Sequence, residues 1–146
     1  MNVAFIGCGY VADFYATTIR NHRALNLATV WDRDPERLAA FSSHWRVNAA
    51  RSLEEVLADR SIGLVVNLTN PSSHVAVSRA ALEAGKHVYS EKPLAMRFSE
   101  AKELVALAEQ RGLQLGCAPC THLGEAAQTA AKALREGRIG TPRLAY

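Results

Sequence analysis

Short apolar runs alternate with longer segments of helical periodicity along the whole 146-residue chain. Within the first helical segment, Val11, Phe14, Tyr15, Thr18 and Ile19 recur at the spacing of one helix face. One later run is apolar enough throughout to be a strand that is buried on both faces. The runs predict six strands, over Val3–Ile6, Leu27–Trp31, Val47–Asn48, Gly63–Leu68, His87–Ser90 and Leu113–Cys117.

Residues that start and stop helices stand between these runs. Asp34 before Pro35 is typical of an N-cap and the first helical position, and Ser52 with Glu55 forms a capping-box pattern. Gly85 closes a helix where the periodic pattern ends. These signals predict helices over Tyr10–Asn21 and Pro35–His44, from Ser52 to Ala58, from Asn70 to Gly85, from a Ser99 cap to Gln110, and over Glu125–Glu136.

Strands that alternate with helices predict an α/β protein with a parallel sheet covered on both sides. Right-handed crossovers make this sheet doubly wound, and the expected strand order is 3-2-1-4-5-6. In such sheets, ligands bind beyond the carboxyl ends of the strands, at the point where the strand order reverses. The residues directly after each strand are therefore the candidates for function.

The composition is that of an ordinary globular chain, with 49% hydrophobic residues, 21% charged residues and a net charge of +3. Basic residues are scattered among acids, which argues against a nucleic-acid surface. No apolar run approaches the roughly 20 residues of a membrane helix, and the N-terminus does not resemble a signal peptide. Three cysteines, an odd number, then predict reduced thiols and a cytoplasmic protein.

The turn after the first strand has the pattern Gly7-x-Gly9-x-x-Ala12 and leads into a helix. Gly7 permits the tight turn, Gly9 lets a pyrophosphate approach the backbone, and Ala12 allows close contact between helix and strand. The helix N-terminus adds unpaired N–H groups and a positive dipole end. The pattern predicts a dinucleotide site rather than a turn without function. Its candidate residues are Gly7, Cys8, Gly9, Tyr10, Val11 and Ala12, with Cys8 donating its backbone N–H to phosphate.

Asp32 ends the second strand, 20 residues beyond Ala12, where a carboxylate accepts hydrogen bonds from the adenosine ribose hydroxyls. Its negative charge repels a 2′-phosphate, so the sequence favours NAD over NADP. Arg33 keeps NADP open as an alternative, because a guanidinium stacks on adenine or pairs with a 2′-phosphate. Taken alone, both residues are also compatible with an exposed turn before the Asp34 cap.

Polar residues follow the fourth strand. We expect Thr69, Asn70, Pro71 and His74 to line the ribose on the nicotinamide side of the cofactor, because this strand stands where the strand order reverses. His74 falls in the first turn of the next helix. The alternative is a helix cap by Asn70 and a solvated His74.

Glu91, Lys92 and Pro93 follow the fifth strand. A lysine at the carboxyl end of a central strand points its ammonium toward the cofactor crevice, where it can donate a hydrogen bond to a substrate oxygen as hydride moves. We expect Glu91 to orient that ammonium or to keep it charged. Pro93 fixes the local path, and its peptide bond is a candidate for the cis form. Without further context, an exposed turn is the competing interpretation.

Cys117 and Cys120 form a Cys-x-x-Cys pair after the sixth strand, with His122 nearby. Such pairs occur in dithiol–disulfide redox sites, and the histidine adds a third candidate metal ligand. The sequence has no second cysteine pair for a structural zinc site. It therefore favours one strand cysteine and one loop cysteine, with no metal site and no redox role.

The ordered set of motifs resembles the glucose–fructose oxidoreductase/inositol dehydrogenase (Gfo/Idh/MocA) family. The glycine turn alone is generic, whereas Gly-Lys-His-Val followed by Glu-Lys-Pro-Leu is specific to that family. The resemblance covers essentially the whole chain. It rests on IGCGYVA at residues 6–12, WDRDPER at 31–37, TNPSSH at 69–74 and AGKHVYSEKPLA at 84–95.

The resemblance implies an NAD(P)-binding Rossmann domain in an enzyme that oxidises or reduces a carbinol carbon of a sugar, inositol or related polyol. It puts Lys92 beside the nicotinamide and the reacting hydroxyl, with Glu91 and Pro93 placing Lys92. Residues 1–120 are then the cofactor domain. Residues 121–146 are then a helix and a first strand that lead toward a second α/β domain, absent from this chain. That domain carries the substrate pocket, the Asp/His acid–base residues and much of a homo-oligomer interface.

This chain alone is expected to bind NAD(H) weakly and to turn over nothing.

Two other functions stay open. A sensor or scaffold that binds NAD(H) without catalysis keeps the glycine turn and Asp32 but has no need of Lys92. Some family members use NAD for a transient oxidation during hydrolysis or elimination, and these residues are compatible with that reaction too.

Overall fold

The computed structural model describes residues 1–119 and 121–144, with the backbone alone at residue 122. At its centre lies a sheet in which every strand pair is parallel. The strands are β1 Asn2–Ile6, β2 Asn26–Trp31, β3 Asn48–Ala49, β4 Ile62–Asn67, β5 His87–Ser90 and β6 Leu115–Cys117. Their order is β3-β2-β1-β4-β5-β6, which confirms the predicted doubly wound topology.

Helices cover both faces of this sheet. The α-helices are α1 Tyr10–Ile19, α2 Pro35–Trp45, α3 Leu53–Ala58, α4 His74–Glu83, α5 Phe98–Gln110 and α6 Glu125–Arg135. Short 3₁₀ turns at Pro71–Ser73 and Thr121–Leu123 come before α4 and α6. Within the described part of the chain, none of the helices is long and apolar enough to span a membrane.

β1 lies in the middle of the sheet, and its side chains alternate between two buried cores. Phe5 belongs to one core together with Ala12 of α1 and Phe41 of α2. Ile6 belongs to the other core together with Leu82 of α4. Phe5, Ile6 and Leu82 are each 0% exposed, and full burial of such a side chain contributes about 1.5–3 kcal/mol.

The predicted N-caps of α2 and α3 are confirmed. The Asp34 carboxylate accepts hydrogen bonds from the N–H groups of Glu36 (3.0 Å) and Arg37 (3.2 Å). The Ser52 hydroxyl accepts one from the N–H of Glu55 (3.2 Å). Caps of this kind stabilise a helix by about 0.5–2 kcal/mol each, and the Asp34 cap also fixes the turn that follows β2.

Several predicted boundaries are wrong by one or two residues: β4 spans Ile62–Asn67 rather than Gly63–Leu68, β6 begins at Leu115 rather than Leu113, and α1 ends at Ile19 rather than Asn21. Ser99 does not cap α5, because the helix begins at Phe98, and the N-cap Arg97 makes no capping hydrogen bond with its side chain. β3 spans Asn48–Ala49 rather than Val47–Asn48. Because this strand is only two residues long, its pairing with β2, and not its own pattern, sets its position.

Lys86, from the Gly-Lys-His-Val motif, is a buried structural residue. It is 3% exposed, and its ammonium donates hydrogen bonds to the carbonyl oxygens of Asp59 (2.6 Å) and Ile62 (3.1 Å). Burial lowers the pKa of Lys86. The two bonds join the turn between α4 and β5 to Asp59, which follows α3, and to Ile62, the first residue of β4, so they help to keep β5 beside β4.

The ends of β1, β2 and β4 meet around Gly7. The Gly7 N–H donates to the Trp31 carbonyl oxygen (2.8 Å), and the Leu68 N–H donates to the Ile6 carbonyl oxygen (2.8 Å). Gly7 has a φ of +98°, and a Cβ built on it would lie 2.6 Å from both the carbonyl carbon and the carbonyl oxygen of Leu68. The positive φ and the close contact with the Leu68 carbonyl group therefore both exclude a side chain at Gly7.

Cys8 is a buried thiol in the core beside α1, with 5% of its surface exposed. Burial raises the pKa of Cys8 to about 12, and the nearby carboxylates of Asp32 and Asp13 add to the rise, whereas Arg37 opposes it. The thiol therefore keeps its proton at neutral pH and is a poor nucleophile.

We expect Gly7→Ala to lower the free energy of unfolding by at least about 2 kcal/mol, since positive φ costs an L-residue roughly 1–2 kcal/mol and the backbone clash adds to it. Urea denaturation measures this change. Gly9→Ala is the matched control, because a Cβ on Gly9 meets no atom within 4 Å. Equal losses of stability in the two variants would show that Gly7 has no special role.

We expect Cys8 to make the fold less stable in alkali. The folded chain binds the thiol proton more tightly than the unfolded chain, so this stabilising contribution is complete below about pH 9 and is lost between about pH 9 and 12. Between pH 8 and pH 10 the loss is about 1 kcal/mol. Urea denaturation at both pH values tests this. Between them, Cys8→Ala should lose less stability than the wild type. Equal losses in the two proteins would show that the Cys8 thiol is not the group responsible.

Candidate functional site

A cleft of about 350 Å³ lies beyond the carboxyl ends of β1, β2 and β4, where the topology predicts a ligand. This volume is in the range of small-molecule sites. Among the predicted site residues, those that line the cleft are Gly7, Gly9, Asp32, Arg33, Thr69 and Asn70. The other lining residues are Trp31, Arg37, Leu53, Leu68, Ser73 and Val77.

The N-terminus of α1 borders this cleft. Gly9 is the N-cap, and a Cβ on Gly9 would face open space, so a ligand can approach the backbone there. The N–H groups of Tyr10 and Val11 belong to the first turn and have no intrahelical acceptor. These two residues are 78% and 38% exposed, whereas Ala12 is fully buried and lets α1 pack against the sheet.

Asp32 joins the end of β2 to the glycine turn. It is 7% exposed, and its carboxylate accepts hydrogen bonds from the N–H of Cys8 (2.8 Å) and the N–H of Asp34 (2.9 Å). The Cys8 N–H, which we expected to donate to phosphate, is therefore already bonded within the protein. The first-turn N–H groups of α1 are left for that role.

Two arginines lie beside this carboxylate. Arg37 is 3.5 Å from Asp32 and 3.2 Å from Asp34, and because its side chain is half exposed each pair contributes only about 0–1 kcal/mol. Arg33 is exposed and lines the same end of the cleft. This end thus carries a carboxylate suited to ribose hydroxyls and guanidinium groups suited to adenine or phosphate.

A buried asparagine fixes the loop after β4. Asn67 is 0% exposed, and its amide nitrogen donates to the His74 carbonyl oxygen (3.0 Å) and to the Ser78 hydroxyl (3.0 Å). Its side-chain oxygen accepts a hydrogen bond from the Thr69 hydroxyl (2.7 Å). Every polar atom of the Asn67 side chain is thus bonded, and Thr69 is fixed at the edge of the cleft.

The segment that was expected to open a helix at Asn70 begins instead as the 3₁₀ turn, and α4 follows it. The Asn70 side-chain oxygen accepts hydrogen bonds from the hydroxyls of Ser72 (3.0 Å) and Ser73 (2.8 Å), and does not cap the backbone. Asn70 and Ser73 line the cleft. Pro71 is exposed and is not among the lining residues.

His74 does not lie where either expectation put it. It neither lines the cleft nor is solvated, because it is 1% exposed. Its Nδ1 is 2.6 Å from the Pro93 carbonyl oxygen, and its Nε2 is 3.0 Å from the Thr69 carbonyl oxygen. The ring therefore joins the loop after β4 to the loop after β5.

Glu91, Lys92 and Pro93 follow β5, and the Lys92–Pro93 peptide bond is cis. The Glu91 carboxylate accepts hydrogen bonds from the Tyr15 hydroxyl (2.8 Å) and from the backbone N–H of Lys92 (3.1 Å). Among the ion pairs of the described residues, none joins Glu91 to the Lys92 ammonium. Glu91 thus orients the backbone at Lys92 and not the exposed side chain.

Cys117 ends β6, with its thiol 3.8 Å from the Glu91 carbonyl oxygen. Burial and the Glu91 carboxylate raise the pKa of Cys117, which disfavours a reactive thiolate. Cys120 and the side chain of His122 lie outside the described residues, so the absence of a redox or metal role stays a prediction. In the part of the chain that is described, no group of His, Cys, Asp and Glu side chains is suited to a metal ion.

Tyr15 and Arg37 contact predicted site residues although the sequence analysis assigned neither of them a role. Tyr15 belongs to the apolar stripe of α1, and its hydrogen bond to Glu91 spans 76 residues of sequence. Arg37 stands in the first turn of α2, close to the Asp34 cap, from where it reaches back to the end of β2. The sequence signal for Arg37 was its place at the end of the WDRDPER motif, six residues after β2.

The chain is similar in sequence to known oxidoreductases. Residues 1–118 match the family GFO_IDH_MocA, described as "Oxidoreductase family, NAD-binding Rossmann fold". The chain is 35% identical to the uncharacterized oxidoreductase YhhX of Escherichia coli K12 and 32% identical to UDP-N-acetylglucosamine 3-dehydrogenase of Acidithiobacillus ferrooxidans. These matches cover 96% and 98% of the chain but 41% and 43% of the relatives.

Among solved structures, biliverdin reductase from Synechocystis, in complex with biliverdin and NADP⁺, matches with a TM-score of 0.82 at 33% identity. That match covers 96% of this chain and 44% of the other. The chain thus spans about two fifths of the length of these proteins. Because the family match extends over residues 1–118 and the sheet order agrees, the chain belongs to the Gfo/Idh/MocA oxidoreductase family and is an NAD(P)-binding Rossmann domain.

Proposed function

We propose that the chain binds NAD(H) in the cleft and serves as the cofactor domain of an oxidoreductase that acts on a CH–OH group of a sugar or polyol. The hydrogen bond between Asp32 and the Cys8 N–H supports this function most directly. It brings a carboxylate, a bare glycine turn and the N-terminus of α1 to one cleft. This combination suits adenosine and a pyrophosphate together.

The residues of the turn fit a pyrophosphate. Gly9 presents backbone without a side chain toward open space. The first-turn N–H groups of Tyr10 and Val11 lie at the positive end of the α1 dipole, where anions are favoured. Phosphate oxygens supply the acceptors that these N–H groups lack within the helix.

The adenosine end supports NAD. The Asp32 carboxylate accepts two backbone hydrogen bonds and keeps further lone pairs for ribose hydroxyls. Its charge disfavours a 2′-phosphate. NADP is the alternative cofactor, supported by Arg33 and Arg37 at the same end and by the NADP⁺ complex of the similar biliverdin reductase.

Lys92 is the proposed catalytic residue. A bound nicotinamide supplies the hydride acceptor or donor. The Lys92 ammonium donates a hydrogen bond to the reacting oxygen of the substrate and stabilises the negative charge that develops there. The end of β5 lies beside the end of β4, since the Glu91 N–H donates to the Asn67 carbonyl oxygen (2.9 Å), so Lys92 follows the strand next to the cleft.

The sugar or polyol class rests on similarity to relatives such as UDP-N-acetylglucosamine 3-dehydrogenase. The similar biliverdin reductase is bound to biliverdin, a substrate of another chemical class. We therefore propose that parts of these proteins outside the matched domain determine the choice of substrate. Cofactor binding in the cleft is the part of the proposed function that can be measured directly on this chain.

Calorimetry with NAD⁺ tests the pyrophosphate site. We expect Gly9→Ala to bind NAD⁺ about tenfold or more weakly than the wild type, because a methyl group keeps the pyrophosphate off the backbone, while the unfolding midpoint stays the same. Gly63→Ala is the control, since Gly63 lies near the start of β4, away from the cleft, and the three atoms nearest to its added Cβ would all belong to the Met1 side chain. Equal NAD⁺ affinity in Gly9→Ala and wild type would place the pyrophosphate elsewhere.

Competition between NAD⁺ and NADP⁺ tests the adenosine end. We expect Asp32→Asn to shift the ratio of the two affinities toward NADP⁺ by about tenfold, since it removes the charge that repels a 2′-phosphate. Asp34→Asn is the control, because this carboxylate caps α2 beside the cleft. Asn is as good an N-cap as Asp, so the control should keep both the cap of α2 and the ratio of the two affinities. A ratio that changes equally in both variants contradicts a selective role for Asp32.

A further inference from the structure

The backbone on both sides of Lys92 is bonded to residues from other elements. Tyr15 of α1 contacts Glu91, and His74 of α4 contacts Pro93. The Lys92 side chain is exposed. The place of its ammonium therefore depends on how firmly the neighbouring backbone is fixed.

Tyr15 acts on the residue before Lys92. Its hydroxyl donates to one oxygen of the Glu91 carboxylate (2.8 Å), and the other oxygen accepts the Lys92 N–H (3.1 Å). Hydrogen bonds to a carboxylate are stronger than those between neutral groups. The rings of Phe5 and Tyr89, with centroids 6.3 and 6.2 Å away, fix the Tyr15 ring in place. Burial and the bond to Glu91 raise the pKa of Tyr15, so the hydroxyl keeps the proton that it donates.

His74 acts on the residue after Lys92. Its ring lies between the carbonyl oxygens of Pro93 (2.6 Å) and Thr69 (3.0 Å). Carbonyl oxygens only accept hydrogen bonds, so a neutral ring satisfies one of them and an imidazolium satisfies both. Since His74 is 1% exposed, water does not compete for these contacts.

Both residues are also connected to the walls of the cleft. Tyr15 lies in the helix whose N-terminus borders it, and His74 contacts Thr69, which lines it. We infer that Tyr15 and His74 are positioning residues that set where Lys92 stands relative to a bound dinucleotide. The inference rests on the proposed function for the role of the dinucleotide, whereas the contacts around Lys92 can be tested without it.

Amide hydrogen exchange at Lys92 in the cofactor-free chain is the first test. Tyr15→Phe removes one hydroxyl and frees the Glu91 carboxylate, so the Lys92 amide should exchange about tenfold faster while the unfolding midpoint changes little. Thr17→Val is the matched control, because it removes an exposed hydroxyl of the same helix that bonds only to the Asp13 carbonyl oxygen. The control should leave the exchange rate at Lys92 unchanged.

The position of the Lys92 side chain is the second test. The chain has four lysines, Lys86, Lys92, Lys102 and Lys132, so an NMR spectrum of protein labelled with ¹³C at lysine Cε is simple to assign. We expect saturating NAD⁺ to shift the Lys92 signal in the wild type. In Tyr15→Phe and His74→Asn this shift should fall by about half or more, while the affinity for NAD⁺ stays within about threefold. His22→Asn, at an exposed histidine after α1, is the control.

The outcomes separate this inference from the proposed function. A Lys92 amide that exchanges at the wild-type rate in Tyr15→Phe, or a Lys92 signal that shifts fully in the folded variants, overturns the positioning role. If His74→Asn does not fold, the measurements on Tyr15→Phe decide whether the positioning role holds. A wild-type chain that does not bind NAD⁺ overturns the proposed function, and the exchange rate in the cofactor-free chain still decides the positioning role.

Discussion

The absence of a side chain at Gly7 is the constraint on which the rest of the site depends. A Cβ there would lie 2.6 Å from the Leu68 carbonyl group, so only glycine lets the turn after β1 pack directly on the backbone after β4. The flanking bonds from Gly7 to Trp31 and from Leu68 to Ile6 then bring three strand ends together. The cleft opens at this junction because the chain leaves β1 and β4 on opposite faces of the sheet.

Asp32 adds charge to this junction and fixes its shape. Its carboxylate accepts the Cys8 N–H in the glycine turn and the Asp34 N–H at the start of the α2 cap. One buried acid thus determines both the path of the turn and the geometry of the second strand end. Because both bonds come from the backbone, the side chain proposed to bind ribose is positioned by the same contacts that stabilise the fold, as a rigid binding site requires.

A second layer of polar contacts lies beneath the loops after β4 and β5. Asn67 orders the Thr69 loop, and His74 connects that loop to the backbone at Pro93. Tyr15 reaches the neighbouring loop from the opposite face of the sheet through Glu91. The residues on either side of Lys92 are therefore hydrogen-bonded to α1, α4 and β4. Such contacts fix the point from which the exposed Lys92 side chain extends.

Alternating apolar runs and helical segments, together with glycine at positions 7 and 9, were enough to predict the strand order, the cleft and the places of Asp32 and Thr69. These features follow from local periodicity, turn chemistry and the handedness of crossovers, all of which are determined by residues that lie close together in the sequence. The sequence did not show that the Cys8 N–H bonds to Asp32, that His74 is buried between two carbonyl groups, or that Tyr15 bonds to Glu91. These contacts join residues that lie 5 to 76 positions apart, and the partner of a polar side chain is decided only when packing brings the elements together and water is excluded.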